Sequence, residues 1–89
     1  MPYISQELRD ALAQGRVPAG VGELNYQISS MIDEYLHRVG LDYAAINAAI
    51  GVLECAKMEL YRRIASPYED KKHSMNGEVY EYAARMMEP

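Results

Sequence analysis

The segment from Leu41 to Ile64 constrains this chain more than any other. Tyr43, Ile46, Ile50, Leu53, Lys57, Leu60 and Ile64 recur at strict spacings of three and four, which is a coiled-coil-like seam over about three heptads. A second stripe, Ala44, Ala48, Gly51 and Cys55, carries small residues at every position. Small side chains let another backbone approach closely, and a helix apolar on two sides is expected to be central. Asp42 is placed to cap it. At about 1.5 Å per residue this helix would run roughly 35 Å.

The flanking segments also read as helical. Ser5 can cap a first helix that ends at Gly15, with Leu8 and Leu12 on its apolar face. A Gly-containing loop, Gly15 to Gly22, leads into a second helix that ends at Gly40. Leu24, Ile28, Met31, Ile32, Tyr35 and Leu36 form its apolar stripe. Ser66-Pro67-Tyr68-Glu69 has the form of a capping box, and either restarts a fourth helix or kinks the third. Asn76-Gly77 ends that segment. The tail from Glu78 onward fits either a short helix with Val79, Tyr82 and Met86 facing inward or an extended arm. The expected fold is all-α: a small helical bundle of about four helices with one long central helix. Eighty-nine residues make a single helical domain, 1–89.

A domain this small buries a modest fraction of its surface. Disulfides cannot supplement it, because Cys55 is the one cysteine. That residue reads as a small buried side chain in a reducing cytoplasm. Oligomerisation is therefore expected. No signal peptide and no apolar run near the roughly 18 residues of a membrane span is visible. The net charge of -4, from 13 acidic and 9 basic residues, argues against general nucleic-acid binding, which needs many neutralised phosphates. It leaves room for one small anionic ligand.

The candidate metal ligands are His37, His73, Cys55 and scattered carboxylates; no pair among them is expected at the spacing of a zinc or di-iron site, nor an inward Glu-x-x-His pair of the helical-bundle kind. No serine has a histidine placed beside it for nucleophilic catalysis, Ser5 and Ser66 being read as caps. Neither an enzyme, a metal nor a cofactor is expected.

The polar cluster closing the central helix is more informative. Lys57 and Tyr61 share a face, Glu54 can pair with Lys57, and Glu59 with Arg62 or Arg63. Surface ion pairs alone do not explain a lysine within an apolar seam. Such a lysine reaches past the seam to water, specifies an oligomer or holds something negative. Helices two and three, joined by a short connection, are expected to be antiparallel. Asn25 and Tyr26 would then approach Lys57, Tyr61 and Arg62, with Tyr68 just beyond. The chain has eight tyrosines and no Phe or Trp. Flat aromatic faces, an amide and two or three cations suit a phosphate-bearing planar ligand of nucleotide type. The candidate site is thus Asn25, Tyr26, Lys57, Tyr61, Arg62, Arg63 and Tyr68.

The blocks Met1–Ser5, Gly22–Tyr26, Ile46–Cys55, Glu59–Arg63, Pro67–Lys72 and Asn76–Tyr80 resemble a family of small uncharacterised proteins encoded by tailed phages and prophages. The resemblance covers nearly the whole chain and carries no activity with it. It implies a bacterial cytoplasm during infection, where small helical oligomers of this class include some that sequester nucleotide signals. The leading expectation is a non-enzymatic homo-oligomer that removes such a signal as a counter-defence. The alternative is an interaction protein that inhibits a host protein or serves phage assembly or regulation.

Overall fold

The computed structural model describes residues 1–88. The fold is all-α, with no strand among the described residues. Helices α1 (Gln6–Ala13), α2 (Val21–Val39) and α3 (Tyr43–Leu60) are followed by a π turn (Tyr61–Ala65), α4 (Ser66–Asn76) and α5 (Glu81–Met86). The helical backbone is unbroken through α3, the π turn and α4, a stretch of 34 residues. The chain divides into two compact units, Met1–Ile50 and Gly51–Pro89.

In the first unit, local chemistry sets the helix ends. The Ser5 hydroxyl accepts from the Leu8 N–H at 3.2 Å, and the Asp42 carboxylate accepts from the Ala45 N–H at 2.7 Å. Each satisfies one of the donors a helix start leaves unpaired. At Gly40 the backbone turns to φ +95°, a conformation that costs other residues steric strain, and its N–H closes α2 on the Leu36 carbonyl. Gly22 answers a different need. A Cβ there would meet Ile4 Cγ2 at 3.3 Å and the Met1 carbonyl oxygen at 3.6 Å, so its bareness lets the N-terminal segment cross the first turn of α2. Arg16 then ties the preceding loop to α2 through Glu23, at 2.8 Å.

Helix α1 packs against α2, and Leu12 and Ala49 are the buried apolar residues of this unit. The apolar stripe of α2 is split. Ile32 and Leu36 are half-buried, whereas Leu24, Ile28, Met31 and Tyr35 stay exposed.

In the second unit, no described side chain is buried. The expected capping box at Ser66 does not form: no side-chain bond caps α4. Instead the Ser66 N–H reaches back five residues to the Tyr61 carbonyl, the bond that defines a π turn. Pro67 supplies the physical reason. Its ring would collide with the carbonyl of Arg63 in a regular α-helix, and it has no N–H to give. Widening the turn before it relieves the clash and keeps the helix going.

Two further expectations are corrected. Cys55 is exposed, not buried, because nothing in this unit covers the small-residue stripe where it lies. The tail does form a short helix, but Val79, Tyr82 and Met86 point to solvent. Six residues of helix carry too little apolar surface to hold a face down.

Candidate ligand-binding site

The second unit gathers three of the seven candidate residues into one place. Lys57, Tyr61 and Arg62, with Met58 and Glu59, line a solvent-open hollow of about 420 Å³. The end of α3 and the start of the π turn position them, so the widened turn is part of the hollow's framework. Lys57 Nζ is 3.1 Å from Glu54 Oε1, one turn earlier. Arg63 Nε donates to Glu59 Oε1 at 3.1 Å. That pairing leaves the Arg62 guanidinium with no carboxylate partner among the described residues. Within the hollow, Lys57 thus has a single carboxylate neighbour and Arg62 has none.

Tyr61 is fixed from the other side of the π turn. Its hydroxyl donates to Glu69 Oε2 at 3.1 Å. The hydrogen bond, and then the carboxylate's charge, hold the phenol above its ordinary pKa. Tyr61 thus keeps its one hydroxyl proton, committed to Glu69. Tyr68 lies in the first turn of α4 beneath Lys72, whose Nζ is 5.8 Å from the ring centroid. The ring is already used as a platform for a cation.

Asn25 and Tyr26 belong to the first unit, on α2. The Asn25 carboxamide oxygen accepts from the Ser29 hydroxyl at 3.2 Å. Tyr26 sits under the Arg9 guanidinium, 5.7 Å from ring centroid to Cζ. Tyr26 and Arg9 help line a second hollow, of about 250 Å³, together with Pro2, Tyr3, Ser29 and Asp33. Arg9 is not among the residues that the sequence singles out. Its Nε donates to the Ile4 carbonyl at 3.1 Å, which anchors it over the ring. The signal for it in the sequence is weak: an arginine on the helix that precedes α2.

One spacing corrects the expectation that no ligand pair has di-metal spacing. Glu34 and His37 are three residues apart on α2, as in a di-metal helix pair. Both side chains are exposed, with Glu34 near Arg38 at 3.6 Å and His37 near Asp33 at 3.6 Å. Their carboxylate and imidazole serve surface pairs. No grouping of three or more metal-ligating side chains occurs among the described residues.

Residues 1–79 match a family described as a domain of unknown function, DUF6899. The chain belongs to that family. The matched span contains both hollows and all seven candidate residues. No curated protein and no solved structure matches the chain. No described helix is long and apolar enough to cross a membrane.

Proposed function

We propose that this DUF6899 protein is a non-enzymatic, phage-derived homo-oligomer of the bacterial cytoplasm that binds a small phosphate-bearing ligand of nucleotide type and withdraws it from solution, as a counter-defence. The observation that carries the reading is the Arg62 guanidinium, unpaired among the described residues, in the same hollow as Lys57 and Tyr61. Two cations side by side are what a phosphate group requires, and the Tyr61 ring walls the hollow beside them. Arg63 adds charge at the margin, and Tyr68 offers a ring face to a planar group. In the first unit, Tyr26 and Asn25 offer stacking and an amide edge, with Arg9 as an added cation.

Native mass spectrometry of the protein purified from bacterial cells, against its denatured mass, tests the reading. An oligomer that retains a molecule of a few hundred daltons supports it. Retention that survives Lys57→Ala and Arg62→Ala together would show the site to be elsewhere.

A second reading has its own support. Leu24, Ile28, Met31 and Tyr35 form an uncovered stripe on α2, and Tyr80, Tyr82, Met86 and Met87 are exposed in the tail. Tyr and Met are frequent anchors at protein interfaces. An interaction protein that inhibits a host protein or serves assembly would use them so. A single stoichiometric protein partner in a pull-down from infected cells would favour this reading over ligand sequestration.

A further inference from the structure

The second unit has an apolar face and no core. Leu53, Leu60 and Ile64 stand exposed on α3 and the π turn, and Tyr68 and Met75 stand exposed on α4. Along the chain their positions, with Lys57 and Lys72 between them, are separated by three or four residues throughout. A strict seven-residue repeat continued from Ile64 would fall on Pro67, Lys71 and Ser74. The large apolar side chains of α4 come one residue later. The π turn lies at that surplus residue, Tyr61–Ala65. A turn closed by i→i+5 bonds takes up about one residue more than an α turn. It therefore returns Tyr68, Lys72 and Met75 to the stripe that the heptad begun by Leu53 defines.

Tyr61 and Glu69 report the same register independently. Eight residues of regular α-helix leave two side chains about 80° apart. Their 3.1 Å hydrogen bond fits a helix that lags by about one residue between them.

We infer that this face, Leu53 to Met75, is where a second copy of the chain docks, and that the π turn exists to keep α4 in register with α3 along it. The spacing identifies the occupant. A seam of heptad-spaced apolar residues meets its like readily, since the same spacing on the partner offers holes for its knobs. Lys57 belongs both to the seam and to the hollow with Arg62, so a docked copy would wall one side of that hollow. The inference shares with the proposed function the premise of self-association, but its test involves no ligand.

Sedimentation velocity of the full chain at micromolar concentration is the test. The wild type is expected to sediment as a dimer or larger species. Ile64→Asp and Tyr68→Asp are each expected to weaken association at least about 100-fold, whereas Ser74→Asp, off the stripe, leaves it unchanged. Should the Asp variants fail to fold, p-benzoylphenylalanine in place of Ile64 is expected to crosslink to a second copy under illumination, and in place of Ser74 not to. A monomeric wild type, an oligomer indifferent to both Asp variants, or crosslinking from position 74 but not 64 would overturn the inference.

Discussion

The Tyr61 hydroxyl donates to Glu69 Oε2 at 3.1 Å, joining two side chains eight residues apart across a π turn. The bond spans the place where Pro67 forces the helix to widen, and it ties one wall of the Lys57–Arg62 hollow to α4. Because the phenol is the donor, it is the neutral form that Glu69 favours, so the phenol pKa is raised. A raised pKa means that this contribution to stability is whole below the ordinary phenol range and is lost as pH climbs through the higher, folded-state value. With tyrosine ring carbons labelled, the Tyr61 resonance should titrate above the ordinary phenol range. Glu69→Gln should bring it back toward the ordinary range. A Tyr61 resonance unmoved by that substitution would mean the bond is not made in solution.

Arg16 and Glu23 give the opposite sign at the other end of the pH scale. The hydrogen bond from Arg16 first, then its charge, holds the Glu23 carboxyl below its usual range against a desolvation that would raise it. Stability from a lowered carboxyl pKa is present above the unfolded value and is lost as pH falls through the folded one. Urea unfolding followed from neutral into strongly acidic solution should therefore show a steeper acid limb for wild type than for Glu23→Gln. Equal limbs would place the carboxylate free in solution.

The first unit rests on few buried groups, so each should matter. Leu12 is 5% exposed, and Leu12→Ala should cost about 2–4 kcal/mol. Ser5→Ala, which removes the acceptor for the Leu8 N–H, should cost about 1 kcal/mol. Thermal unfolding read by circular dichroism would rank them. A larger loss from Ser5 than from Leu12 would contradict the assignment of the core.

Helix ends and ion pairs of this kind are legible in the order of the amino acids. Ser5 and Asp42 stand at helix starts with the right chemistry, Gly40 and Gly77 at helix ends with φ +95° and +92°, and the Glu54–Lys57 and Glu59–Arg63 spacings predict the ion pairs observed. The π turn is not legible there. Ser66-Pro67 is compatible with a fresh helix start, and only the backbone shows Ser66 reaching back to Tyr61. The expectation of a buried Cys55 fails for a related reason. A small-residue stripe says that something can approach closely, not that the same chain does. Arg9 over Tyr26 joins two helices, and nothing in local spacing encodes that meeting.

The seven candidate residues should not contribute equally. Lys57 and Arg62 share a hollow, and charge-assisted bonds to phosphate are the stronger kind. Lys57→Ala and Arg62→Ala should each weaken ligand binding about tenfold or more. Arg63→Ala, whose guanidinium is taken up by Glu59, should do less. Isothermal titration with the ligand recovered from cells would order the three. A larger effect from Arg63 than from Arg62 would reverse the assignment of the phosphate contact.

We propose that this protein holds a small anionic molecule in the Lys57–Tyr61–Arg62 hollow. Native mass spectrometry of the protein taken directly from bacterial cells tests it most directly. The expected result is an oligomer heavier than a multiple of the chain by a few hundred daltons, with the extra mass gone in Lys57→Ala/Arg62→Ala. A wild-type protein whose native mass equals its bare subunits, and which takes up no nucleotide from a cell extract, would contradict it.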